Sequence, residues 1–201
     1  MPIVRLPKGS LRDEIRLPLY DTITIAAAES PVGVRRFYSS VQGKSRARTN
    51  LRQNNLLETA VSYRVQGLAI DAQNIYAANS KALAIIMENS SLRLRIGEKD
   101  YWEGPMTFAA GRVKQNAAAA TTVAATTIEH LHQHFGEESV QPVMLAGKHV
   151  VDINPLQSFF CEWVVDQADL TASEITAATP AASTNLKFQF SLKGLLRRPV
   201  Q

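Results

Sequence analysis

Polar and apolar residues alternate without a slip from Lys187 to Lys193, with Phe188, Phe190 and Leu192 on one face and Lys187, Gln189, Ser191 and Lys193 on the other. A period of two is the mark of a strand buried on one side only. Gly194 interrupts the alternation, and Leu195-Leu196-Arg197-Arg198-Pro199 follows. A strand this close to the last residue points to a sheet that needs it, as a closed β-sandwich does. The same pattern recurs at Tyr20–Ala26, Val34–Val41, Ser91–Ile96 and Ser158–Asp166, with shorter versions at Gln141–Leu145 and Lys148–Ile153. From Leu57 to Ala72 the apolar phase shifts, from Val61, Tyr63 and Val65 to Leu68 and Ile70. That shift predicts a β-bulge at Gly67. Gly97-Glu98-Lys99-Asp100 reads as a turn into a returning strand, Tyr101–Glu103.

Other stretches are less decided. Asn79–Met87 fits a short capped helix or a strand, and periodicity does not choose. The Ala/Thr-rich segment Val113–His134 reads as a helix or a long surface loop. Residues 42–55, 104–127 and 167–185 read as long loops, and long loops tend to be functional. Pro2, Pro7 and Pro18 with Gly9-Ser10 make residues 1–19 an extended N-terminal arm. Residues 20–201 form the domain proper. Eight to ten short strands with few helices predict an all-β fold, a single jelly-roll β-sandwich with long loops and at most short helices.

Composition narrows this only slightly. A chain of 201 residues with 45% hydrophobic content suits one domain with a sizeable core. The net charge of +4 permits an anionic partner without demanding one. The single cysteine, Cys161, excludes an intramolecular disulfide, and its alternation with Phe159, Trp163 and Val165 makes it a buried hydrophobe. The first sixteen residues lack the apolar core of a signal peptide, and Ala117–Ile128 is too short and polar to span a bilayer. The expectation is a protein made inside a cell that is soluble or assembles there.

Candidate chemistry is sparse. Gly43-Lys44-Ser45 lacks the upstream glycine of a phosphate-binding loop, because Tyr38 stands there. Arg46, Arg48 and Arg52 in the same loop form a basic patch that suits a solvated or intersubunit loop better than a phosphate site. The sharpest constellation is His130, His132 and His134, followed by Glu138 and His149. His132-x-His134, Glu138 and His149 together resemble the ligand set of metal-binding cupins. The glycines that turn cupin strands around the metal are missing, since Thr126 and Leu145 occupy those places. The gap between Glu138 and His149 is also short, so no metal site is assigned. Tyr101-Trp102 beside Gly104-Pro105 would suit a sugar-stacking platform, although alternation buries one of the two rings. No Gly-x-Ser-x-Gly elbow occurs, and the carboxylates form no motif.

A resemblance covers about two-thirds of the chain. It runs through Thr49-Asn50-Leu51 into Tyr63–Leu68, Leu92–Gly97 with Lys99 and Tyr101, Gly104-Pro105, Asp152–Phe159 and Leu192–Pro199. In this order the segments resemble single jelly-roll capsid proteins of tailless icosahedral viruses, especially bacteriophages with an internal membrane. The resemblance implies a structural subunit of a viral capsid, the major capsid protein, working by self-assembly and not as an enzyme. It implies copies of itself in capsomers and other capsid proteins as partners, and no cofactor or small-molecule substrate. It also implies synthesis in the host cytoplasm and residence in the virion. The basic arm, with Arg5, Lys8, Arg12 and Arg16, would then strap a neighbour or meet an internal membrane or the genome. The rival readings are a cupin-like metal-dependent enzyme and a jelly-roll carbohydrate-binding module.

Overall fold

In the computed structural model, which describes residues 3–5, 11–73, 79–109, 121–123, 126–128, 143–144, 150–180 and 185–199, the alternating segments pair into two antiparallel sheets. The chain runs β1 (Ile3–Arg5), β2 (Leu11–Arg16), β3 (Leu19–Ile25), β4 (Gly33–Phe37), β5 (Ser62–Gln73), α1 (Ser80–Glu88), β6 (Ser90–Ile96) and β7 (Lys99–Pro105). It continues through α2 (Met106–Ala109), β8 (Thr121–Val123), β9 (Thr126–Ile128), β10 (Val143–Met144), β11 (Val151–Ile153), β12 (Phe159–Val165), α3 (Ala172–Ala178) and β13 (Leu186–Pro199). Among the described residues the fold is an all-β sandwich with three short helices.

One sheet is built on β13. Along one side of it β3 and β2 lie end to end, with Leu192 opposite Leu19 and Leu195 opposite Arg16. Along its other side runs β5, which in turn pairs with β11 and β10. The second sheet has the order β4-β12-β6-β7. With β10 and β11 counted as one broken strand, the eight main strands pair in a nest. The first (β3) bonds the last (β13), the second (β4) bonds β12, the third (β5) bonds β10/β11, and β6 bonds β7.

The two sheets meet through the faces that alternation assigned to the core. Phe188, Phe190 and Leu192 are fully buried, as are Phe159, Cys161 and Trp163 from the facing sheet. Ring centroids lie 4.7 Å apart for Trp163 and Phe188 and 5.4 Å apart for Phe37 and Phe190, so the aromatic contacts join the layers. Burial pushes the Cys161 thiol well above its ordinary pKa, which keeps it protonated and unreactive.

The bulge expected at Gly67 falls one residue earlier. Lys193 pairs with Gly67 and Gly194 with Val65, which leaves Gln66 as the extra residue on β5. This accounts for the phase change, since Tyr63 and Val65 before the bulge and Leu68 and Ile70 after it all face the core. Gly194 does not end the closing strand. It lets β13 pass the bulge, because a Cβ there would sit 1.9 Å from the Arg64 carbonyl oxygen.

The undecided segments resolve in different ways. Asn79–Met87 is helical, as α1, and turns Ala82, Leu83, Ile86 and Met87 inward. The polar connection read as loop 167–185 contains α3, started by a capping box. The Thr171 side chain accepts from the Glu174 N–H, and the Glu174 carboxylate accepts from the Thr171 N–H at 2.8 Å. Within Val113–His134, the described residues form the β8–β9 hairpin.

The registers place the connections at two ends. Ile25, Gln73 and Leu186 are neighbours at one end, where α1 packs on α3. Leu19 and Leu192 mark the opposite end, which carries the long connection from Tyr38 to Val61. No helix among the described residues is long and apolar enough to cross a membrane.

Candidate functional site

The connection 38–61 is the largest described irregular segment, and its own side chains fasten it to the sandwich. β4 stops at Phe37 because Tyr38 takes a left-handed conformation, φ 70°. The Tyr38 N–H donates to the Asp21 carboxylate at 2.7 Å, and its hydroxyl donates to the Leu19 carbonyl at 2.9 Å. Asp21 is fully buried, and Lys44 supplies its counter-charge, donating to both carboxylate oxygens at 2.8 and 3.0 Å and to the Thr22 carbonyl at 2.8 Å. The lysine of Gly43-Lys44-Ser45 is thus a structural cation turned into the protein.

Further along, Asn50 acts as a substitute strand. Its side-chain oxygen accepts from the Tyr20 N–H at 2.9 Å and its amide donates to the Pro18 carbonyl at 2.6 Å. Thr49 bridges Asp21, and the Asn54 side chain accepts from the Val41 N–H at 2.8 Å. The loop therefore covers the outer edge of β3, which would otherwise offer a row of unpaired backbone groups. Arg46, Arg48 and Arg52 point outward from it and are exposed.

The second sheet turns a charged rung to the outside. Arg36, Glu162, Arg93 and Glu103 are successive register partners across β4, β12, β6 and β7. Arg36 lies 2.9 Å from Glu162, and Arg93 also bonds its carboxylate. Burial alone would raise the Glu162 pKa, but the hydrogen bonds from Arg36 and Arg93 outweigh it and hold the carboxyl below its ordinary value. Beside this rung Val34 is 58% exposed on the short edge strand β4.

The opposite edge, β7, resists strand addition. Leu94 pairs with Trp102 and Arg95 with Asp100, so Tyr101 is a bulged residue; Pro105 closes the strand. This placement also divides the Tyr101-Trp102 pair. Tyr101 is 40% exposed on the bulge, while Trp102 is half-buried against the core and lies over Gly104. The two rings do not form one stacking platform.

His130, His132, His134, Glu138 and His149 lie outside the described residues. Among the described residues no group of three His, Cys, Asp or Glu side chains is placed to hold a metal. Sequence reasoning missed the Asp21–Lys44 pair. Its signal was Asp21 itself, an acid on the inward phase of an alternating strand, which demands a buried partner. No family model matches the chain, and no curated protein or solved structure matches it.

Proposed function

We propose that this chain is a shell-building single jelly roll, the major capsid protein of an icosahedral virus, whose partners are copies of itself in capsomers. The nested pairing of first strand with last, second with second-last and so inward to the β6–β7 hairpin carries the reading. That order is what a hairpin of four strand pairs makes when it wraps into two facing sheets, and viral capsid domains are one of its main uses. Two edges, β3 and β7, favour assembly through faces and loops over strand addition, since Asn50 covers β3 and a bulge disrupts β7. The neutral rung Arg36-Glu162-Arg93-Glu103 suits a repeated, symmetric contact, because its alternating signs are complementary to a second, reversed copy.

In this reading the chain is not an enzyme. It is made in the host cytoplasm and resides in the virion, with other capsid proteins beside it and the basic N-terminal residues, of which Leu11–Arg16 are docked on β13 as β2, turned toward membrane or genome. Electron microscopy of the purified full chain tests it. The expected result is capsomers or closed particles of uniform size, and a monodisperse small monomer at high concentration would overturn it.

A further inference from the structure

At the end of the sandwich that carries the 38–61 connection, a groove of about 550 Å³ opens between that loop and the outer end of β13. Its lining is aliphatic in large part, through Leu17, Leu51, Leu56, Val61 and Leu196, with Thr49 and Asn50 among them, and Leu17 is 40% exposed. Its rim is cationic, with Arg46, Arg52 and Arg198 against a single carboxylate, Glu58. Lys44 also lines it but is committed to Asp21.

The rim cations are free to respond to a ligand in different degrees. The Arg46 guanidinium has no ion-pair partner among the described residues. Arg52 reaches Glu58 at 3.1 Å, but both side chains are more than half exposed, and such pairs hold weakly. Arg198 stands 3.8 Å from Asp13.

An aliphatic trough of this size, with an excess of arginine at its lip, matches one ligand chemistry. We propose that the groove binds a single aliphatic chain ending in an anionic group, a carboxylate or a phosphate, with the chain on the leucines and the head at Arg46 and Arg52. A peptide strand fits less well, because the neighbouring backbone groups of Tyr20 and Pro18 are already taken by Asn50. Nucleic acid fits less well too. The one ring in the lining, Tyr20, is half-buried with its hydroxyl bonded to the Arg46 carbonyl, and leucines give bases no face to stack on. The inference stands whether or not the chain assembles.

Calorimetry on the full chain tests it, with decanoate and decyl phosphate below their micellar concentrations, decanol as the uncharged chain and inorganic phosphate as the bare head. One-to-one binding of both anionic chains is expected, with decanol weaker by about tenfold. Each methylene removed from decanoate should weaken binding by up to about fourfold. Arg46→Glu should lower decanoate affinity by about tenfold or more at an unchanged melting temperature, since that side chain supports no fold contact. Flotation with phosphatidylglycerol against phosphatidylcholine vesicles separates the sources. Capture by the anionic vesicles assigns a bilayer lipid, and decanoate binding without capture assigns a free chain. Equal affinity for decanol and decanoate, full affinity in the Arg46→Glu variant, or no binding of either anionic chain would overturn the proposal. So would binding of an acidic, leucine-rich peptide where decanoate fails, which would assign the groove to a protein partner.

Discussion

Gly194 is the position where a single methyl group would matter most. Its missing side chain lets the Arg64 carbonyl come close enough that a Cβ would lie 1.9 Å away, and a backbone atom cannot swing aside as a side chain can. Gly194→Ala should therefore cost about 3 kcal/mol in urea unfolding, or block folding, while a change at the exposed neighbour Lys193 should be close to neutral. The Asp21–Lys44 pair is a different kind of dependence. Lys44→Ala strands a buried carboxylate and should destabilise by about 3 kcal/mol, and adding Asp21→Asn should recover part of that loss. Glu162 makes stability depend on pH. Its folded pKa lies below the ordinary 4.5, so ionisation favours the folded chain. That contribution is complete above the unfolded value and drains away as pH falls through the lower folded value. Glu162→Gln should accordingly melt well below the parent at about pH 6, and the gap should narrow toward about pH 3.

At the scale of elements, what could be read in the chain depended on how strongly one face is buried. β6 alternates cleanly, and β13 does so from Leu186 to Phe190, because each has the facing sheet on one side and a more open face on the other; in β3 and β12 the pattern is broken by the buried Asp21, Thr22 and Glu162. β5 was legible despite its slip, since a bulge adds one residue and so moves the apolar phase by one. The interruption of the alternation at Gly194 was legible too, but its cause was not, because only the pairing shows that β13 passes the β5 bulge there. Helix α3 was legible in principle from Thr171-x-x-Glu174, but its small Ala/Thr composition gives a weak apolar stripe. The candidate site was the least legible part. The groove draws on Leu17, the loop 44–58 and Leu196, which no local pattern connects. Within β13, Phe190 contacts both Phe37 and Tyr38. Phe190→Ala should cost about 4 kcal/mol, and Phe190→Asn should leave no cooperative melting transition by circular dichroism.

For the molecule as a whole, the nest of pairings means that the sheet built on β13 cannot close until the last strand arrives. Leu192 finds Leu19 across most of the chain, so loop closure precedes the reward. Refolding from urea should be slow for this size, on the order of milliseconds to seconds by stopped-flow fluorescence. A chain stopped after Asn185 lacks the strand that both β3 and β5 require, and should show no protection in hydrogen exchange. The same arrangement sets how the molecule answers to force. Arg12 lies opposite Pro199 and Arg16 opposite Leu195, so the outer ends of β2 and β13 leave the sheet side by side. Tension applied at those two points loads one hydrogen-bonded pair at a time and peels the strands apart, where a shearing pull would load the whole row at once. A neighbour that drew Arg12 and Pro199 apart would open the protein along this seam, while a load directed along the strands would be shared by the whole row.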